Sequence, residues 1–317
     1  MHAISRRKRD LEQYMPDLTI ETELVEAYWD SVLQAYQDKP LQVKLEPSDS
    51  PFPSVTVQKL TYEGYDHTPI HGWYMVPAEK HSQGLPCIVT LPGYTGDKGY
   101  PERYAEWLLL GYAVLAVDVR GQGGETGNRL PEAAGSSKGW VSMGLADKEH
   151  SYYQAITIDA VRAVDVAAQL PEVDRHKIAV FGVSQGGGLA LLAGALHSSV
   201  AAIIADIPNM CHMDYGVLHS TGSLTEIAQH LKRYPDQLEP VLETLAYFDM
   251  LNLAPRIHAP VLMSVGWKDT VCLPETIYAV YNRLNTDKRI YDYPFNGHEV
   301  GEFHNRERIQ FLSSLFK

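Results

Sequence analysis

The chain has 317 residues, of which 45% are hydrophobic and 21% charged, as in an ordinary globular enzyme with a large core. Its length is compatible with one or two domains. The net charge of −12 argues against nucleic acid or an anionic membrane as a partner, and it favours a neutral substrate over a strongly anionic one.

Neither the cysteines nor the N-terminal segment indicates export. Cys87, Cys211 and Cys272 are too few for a disulfide framework, so we expect free, buried thiols. The basic segment MHAISRRKRD is not followed by the apolar segment of a signal peptide, and no apolar run is long enough to cross a membrane. We therefore expect a cytoplasmic, soluble protein.

The N-terminal part predicts a helix, a connector and a hairpin. Apolar residues recur at helical spacing from about Glu21 to Tyr36, which predicts an amphipathic helix. The Pro- and Ser-rich segment 40–54 is typical of a connector. Segments 55–64 and 70–76, on either side of a Tyr-Asp-His-Thr-Pro turn, predict an antiparallel hairpin.

From Leu85 onward, predicted strands alternate with predicted helices, which indicates a mostly parallel sheet covered on both faces. The predicted strands are 85–91, 112–119, 178–181, 200–207, 260–266 and 289–293. The predicted helices are 100–110, 152–170, 187–196, 273–284 and 302–316.

The segment 208–259 is longer than a crossover helix requires. We interpret it as a helical insertion near the active site, after the sixth strand region. The organisation predicted is a single α/β domain, 1–317, that carries this insertion.

The sequence Gly182-Val183-Ser184-Gln185-Gly186 lies between an apolar β-branched run and a small, apolar helix. Gly-x-Ser-x-Gly in that context is the nucleophile elbow of α/β-hydrolases, a turn so tight that glycine is needed on both sides. Ser184 would then stand at a helix N-terminus, where free N–H groups stabilise a developing oxyanion. The pentapeptide alone also fits a plain strand-turn-helix connection.

In this fold the catalytic acid and base follow the serine in chain order, on loops after later strands. Asp269 follows strand 260–266, although an Asp there would also suit a helix N-cap or a turn. Asp249 and Asp292 are competing candidates that fit the expected position less well. His298 follows the last predicted strand, as the base should.

Two backbone N–H groups are candidates for the oxyanion hole. One belongs to Gln185, the residue after the serine, and the other to Tyr94 in the loop PGYTG after strand 85–91. Each donor is worth about 3 kcal/mol of transition-state stabilisation. PGYTG by itself would also fit an ordinary Pro-Gly turn.

A metal site is not expected. Cys211, His212, Asp214 and His219 lie close together in the chain, but their spacing matches no common zinc pattern.

Several segments together resemble carbohydrate esterase family seven, the acetyl xylan esterases and cephalosporin C deacetylases. The signatures RGQ, GxSQG and HE correspond to Arg120-Gly121-Gln122, Gly182-Val183-Ser184-Gln185-Gly186 and His298-Glu299. Further similarity covers nearly the whole chain, including the N-terminal helix, the hairpin and the segment ETLAYFDMLNLA.

The resemblance implies a serine esterase with Ser184, Asp269 and His298 as the triad and with Tyr94 and Gln185 as oxyanion donors. It also implies deacetylation of small substrates such as xylo-oligosaccharides and cephalosporin C, no cofactor, and a hexamer. One departure is Pro92, where many relatives have His. For the RGQ arginine, Arg120, we expect a structural role in holding the loop 121–147.

Two alternatives remain open at the sequence level. A peptidase of the prolyl oligopeptidase type shares the Gly-x-Ser-x-Gly-Gly elbow, but the chain lacks room for a propeller domain. A non-catalytic binding protein with a hydrolase fold is disfavoured because all three triad positions are filled.

Overall fold

The computed structural model describes residues 2–78, 84–131 and 139–316. Its strands are β1 (Lys44–Ser48), β2 (Val55–Glu63), β3 (Pro69–Pro77), β4 (Leu85–Leu91), β5 (Ala113–Val117), β6 (Val173–Val183), β7 (Val200–Asp206), β8 (Val261–Gly266) and β9 (Lys288–Tyr293). Its α-helices are α1 (Ala3–Glu12), α2 (Thr22–Gln37), α3 (Ala105–Leu109), α4 (Tyr152–Gln169), α5 (Gln185–Leu196), α6 (Met213–His219), α7 (Leu224–Arg233), α8 (Leu238–Ala246), α9 (Met250–Leu253), α10 (Pro274–Arg283) and α11 (Glu302–Leu315).

All of these strands form one sheet in the order β1-β2-β3-β5-β4-β6-β7-β8-β9. Strands β1, β2, β3 and β5 pair antiparallel in that order, whereas β5, β4, β6, β7, β8 and β9 pair parallel. The predicted mostly parallel sheet with an antiparallel hairpin is thus confirmed. Because the parallel strands all end at one edge, the loops that follow them meet there.

The central strands read as continuous apolar runs because both faces of the sheet are covered. Every residue of β5 and of β8 is buried. Alternate residues of a strand point to opposite faces. In β4, Cys87 and Val89 pack into the core beneath α4 and α5, while Ile88 packs into a second core with Trp107 of α3 and Phe311 of α11.

Two elements were not predicted. Strand β1 lies within the predicted connector 40–54, where it pairs with β2 at the edge of the sheet and stays largely exposed. An exposed edge strand needs no apolar alternation and tolerates Pro47, so its sequence carries no strand signal. Helix α1 buries only Leu11, and it is attached to the domain by the ion pair of Arg7 with Glu275.

Helices α6 to α9 occupy the segment between β7 and β8, within residues 208–259. In the observed numbering this segment follows the seventh strand rather than the sixth, because β1 was not predicted. Four 3-10 turns, at Tyr65–His67, Pro101–Tyr104, Pro235–Gln237 and Ala254–Arg256, complete the described secondary structure. None of the helices in the described ranges is long and apolar enough to cross a lipid bilayer.

Candidate active site

Ser184 lies in the turn between β6 and α5 with φ 58° and ψ −119°, a backbone conformation that non-glycine residues rarely adopt. The two flanking glycines make the turn possible. A Cβ on Gly182 would lie 2.1 Å from the carbonyl oxygen of Gly186, and one on Gly186 would lie 2.0 Å from that of Leu91. The Ser184 N–H donates to the carbonyl of Asp206 at the end of β7, which holds the elbow against the sheet.

Three predicted site residues from separate loops meet at this turn. His298 Nε2 lies 3.0 Å from Ser184 Oγ, and His298 Nδ1 lies 2.8 Å from Asp269 Oδ2. The loops that carry Asp269 and His298 follow β8 and β9, so the parallel sheet brings them to the edge where Ser184 stands. This is the geometry of a nucleophile, a base and an orienting acid.

Asp269 and His298 differ in their exposure to solvent. The side chain of Asp269 is 0% exposed, whereas that of His298 is 29% exposed. The other Asp269 oxygen, Oδ1, accepts the N–H groups of Val271 and Cys272 at 2.7 and 3.0 Å. The carboxylate is therefore fixed, while the imidazole edge remains accessible to a substrate.

The two competing carboxylates are engaged elsewhere. Asp249 caps α9 and accepts the N–H groups of His212 and Met213. Asp292 accepts hydrogen bonds from the Trp267 indole and from the Tyr278 hydroxyl, both at 2.7 Å.

The three cysteines are free and buried, as predicted. Cys272 Sγ lies 3.9 Å from Ser184 Oγ. Burial raises the pKa of this thiol far above its ordinary range, so it stays protonated and does not compete as a nucleophile.

The loop after β4 lies directly beside Ser184. A Cβ added to Gly93 would lie 3.9 Å from Ser184 Cβ, and the Gly96 N–H donates to the Gly93 carbonyl across a tight turn. Thr95 has φ 66°, which is strained for a β-branched residue. Such a conformation persists only where the surroundings hold it. Tyr94 thus lies in a constrained turn beside Ser184.

Gln122 joins the two segments that carry the predicted oxyanion donors. Its Oε1 accepts the Thr95 N–H at 2.7 Å, and its Nε2 donates to Gln185 Oε1 at 2.9 Å. The side-chain Nε2 of Gln185 donates to Gln122 Oε1 at 3.3 Å. Gln122 Nε2 also donates to the Tyr152 hydroxyl oxygen at 2.8 Å. Sequence reasoning missed this contribution, although the signal was present as the third residue of RGQ.

We expect Gln122→Leu to lower kcat for p-nitrophenyl acetate by about tenfold or more, because the turn around Tyr94 loses its anchor. The substitution also removes the partner of the buried Gln185 side-chain amide and the acceptor of the Thr95 N–H, at a cost of about 1–3 kcal/mol of unfolding free energy. Steady-state kinetics and thermal unfolding measure the two effects. An unchanged kcat in a folded variant would contradict the anchoring role.

Arg120 has a structural role, but its partners differ from those predicted. The fully buried guanidinium donates to both oxygens of Asp159 at 2.6 and 2.9 Å, to Asp66 at 2.9 Å and to the Tyr65 carbonyl. These contacts tie β5 to α4 and to the hairpin turn. In the described part of the loop 121–147, no residue is hydrogen-bonded to this guanidinium.

The cluster near residue 212 has a packing role. The His212 ring stacks on Tyr215 and contacts Tyr14, and its Nε2 lies 3.3 Å from Asp214. Across residues 2–78, 84–131 and 139–316, no group of three or more His, Cys, Asp or Glu is arranged to hold a metal ion.

Comparison with known proteins gives concordant matches. The acetyl xylan esterase (AXE1) family model matches residues 1–315. The acetyl xylan esterase from Paenibacillus sp. R4 superposes with a TM-score of 0.94 at 38% identity, over 97% of this chain and 99% of that one. Acetyl xylan esterase 1 from Thermoanaerobacterium sp. JW/SL YS485 superposes with a TM-score of 0.91 at 28% identity, over 98% of each chain.

A curated relative, the acetyl esterase Axe7A of Xylanibacter ruminicola, is 28% identical in a 310-residue alignment that covers 92% of this chain and 67% of that protein. The solved structures match over almost the full length of both chains, which confirms the predicted α/β-hydrolase fold.

Proposed function

The chain belongs to the acetyl xylan esterase family and is a serine esterase, and from this premise we propose that it deacetylates small acetylated substrates through an acyl-enzyme on Ser184. The observation that carries the proposal is the hydrogen-bonded series Ser184, His298 and Asp269, with distances of 3.0 and 2.8 Å. The match to an esterase family favours neither the peptidase nor the non-catalytic alternative.

In the proposed reaction His298 Nε2 takes the Ser184 proton as Oγ attacks the acetyl carbonyl. The imidazolium then gives this proton to the departing alcohol oxygen. A water molecule, activated by the same nitrogen, attacks the acetyl-enzyme and releases acetate. Asp269 accepts the Nδ1–H of His298, which keeps the imidazole in that tautomer, and stabilises the imidazolium.

The tetrahedral oxyanion is bound by the backbone N–H groups of Gln185 and Tyr94. Gln185 is the first residue of α5, so its N–H belongs to the free donors of a helix N-terminus. Tyr94 lies in the loop that packs on Ser184. A backbone donor does not depend on the side chain two residues before it, so Pro92 is compatible with this role.

We expect p-nitrophenyl acetate to be hydrolysed at least about tenfold faster than the butyrate, since each extra methylene in a fitted pocket costs about 1–3 kcal/mol. Initial rates on the acetate, butyrate and octanoate esters measure this preference. Faster hydrolysis of the longer esters would contradict the acetyl specificity.

The alcohol part is proposed to be a short acetylated xylo-oligosaccharide or an ester of the cephalosporin C type. Family membership supports the xylo-oligosaccharide. The net charge of −12 does so as well, because it favours neutral sugars over anionic substrates. Initial rates on acetylated xylobiose, cephalosporin C and a glycerol acetate rank the candidates.

We further propose a cytoplasmic homo-oligomer, a hexamer by resemblance to the family. Three free, buried thiols fit a reducing compartment. Large exposed apolar side chains, among them Leu109 and Leu218, are available for contacts between copies. Sedimentation analysis of the purified protein measures the assembly.

A further inference from the structure

Helix α7, in the segment between β7 and β8, contacts the loop that follows β4. Glu226 Oε2 accepts a hydrogen bond from the Tyr94 hydroxyl at 2.6 Å, although the two residues are 132 positions apart. Leu224 and Ile227, on either side of Glu226, are buried in the core. The Glu226 carboxylate therefore lies on a helix whose position is fixed by core packing.

The Tyr94 side chain is fixed by a second set of contacts. Its hydroxyl oxygen accepts a hydrogen bond from the backbone N–H of Trp140 at 3.1 Å. Its ring lies edge-on to the Trp140 ring, with the ring centroids 5.5 Å apart. Gly139 has φ 85°, and a Cβ there would lie 1.8 Å from Glu226 Oε2. The Glu226 carboxylate thus lies against the backbone of the loop before α4, in space that is open only because residue 139 is a glycine.

The bond between Tyr94 and Glu226 is of a strong type. Burial, together with the hydrogen bond to Glu226, raises the pKa of the Tyr94 hydroxyl well above its ordinary value, so the phenol remains a neutral donor. A phenol donating to a carboxylate at this distance is a short, charge-assisted hydrogen bond.

We propose that Glu226 is a positioning residue for ester hydrolysis, acting through Tyr94 on the second oxyanion donor. The inference rests on the proposed function, because the backbone N–H of Tyr94 is the donor concerned. Gln122 holds the next peptide, at Thr95, and Glu226 holds the Tyr94 side chain. An oxyanion donor must be placed within about half an ångström to act, so these two anchors beside the donor peptide determine its effect.

The test is a double-mutant cycle on p-nitrophenyl acetate with Glu226→Ala, Tyr94→Phe and the double variant. We expect each single variant to lower kcat by about tenfold with KM within about twofold of the parent, because the interaction acts on the transition state. The double variant should lose no more than the more affected single variant, since both substitutions break one contact.

Glu226→Gln keeps an oxygen acceptor and should recover part of the kcat lost in Glu226→Ala. Glu239→Gln, which removes an exposed carboxylate from α8 in the same segment, is the matched control and should leave kcat unchanged.

The proposal is overturned if Tyr94→Phe keeps the parental kcat, if KM alone rises, or if the two losses multiply in the double variant. Failure of the proposed function gives a different result, namely a parent protein without esterase activity or a Ser184→Ala variant that retains it. Thermal unfolding of the variants, alongside the kinetics, confirms that the rates compared are those of folded protein.

Discussion

Ser184→Ala is expected to lower kcat for p-nitrophenyl acetate by a factor on the order of 10⁶, the loss seen when a serine hydrolase is deprived of its nucleophile. The reason is geometric, because Oγ is the atom that lies 3.0 Å from the imidazole Nε2 and would carry the acetyl group. The measurement is steady-state kinetics with the variant freed of parent enzyme, supplemented by mass detection of an acetyl-enzyme in the parent.

Ser198→Ala serves as the matched control, since Ser198 is exposed and lies beyond the C-terminal end of α5, the end opposite Ser184. It should retain the parental kcat. The double variant Ser184→Ala/His298→Ala should be no slower than Ser184→Ala alone, because the two side chains act as a unit. Full activity in a pure Ser184→Ala preparation would refute the acyl-enzyme mechanism.

Asp269→Asn is expected to lower kcat by about 10⁴ while the fold is retained. Oδ1 of Asp269 accepts two backbone N–H groups, so an asparagine would keep its oxygen there and direct its NH₂ group toward His298 Nδ1. That nitrogen would then have to accept a hydrogen bond, which places the imidazole proton on Nε2. An Nε2–H cannot take the proton of Ser184.

The competing acid provides the control for this substitution. Asp292→Asn changes a carboxylate that binds Trp267 and Tyr278 and lies outside the triad, so it should leave kcat close to the parental value. A collapse of kcat in Asp292→Asn, with kcat of Asp269→Asn nearly unchanged, would show that Asp292 and not Asp269 is the acid.

The two carboxylates also illustrate how far local sequence leads. The sequence favours Asp269 as the acid because it follows a predicted strand end, and His298 as the base because it follows the last predicted strand. Parallel strands bring the loops that follow them to one edge of the sheet, whatever the detailed packing, so residues just after strand ends meet there. The hydrogen bonds of Asp292 with Trp267 and Tyr278 have no such local signal, because they are made across the tertiary structure.

The sequence by itself determined the alternating strands and helices, the elbow at Ser184 and the order of serine, acid and base. These features depend on hydrophobic periodicity and on turn chemistry, which act over a few neighbouring residues. Only the tertiary structure decided that strand β1 forms, that Arg120 binds Asp159, and that Gln122 and Glu226 hold the turn around Tyr94. The physical reason is that an edge strand or a buried polar network takes its energy from partners far away in the chain, and no local pattern encodes which partner that will be.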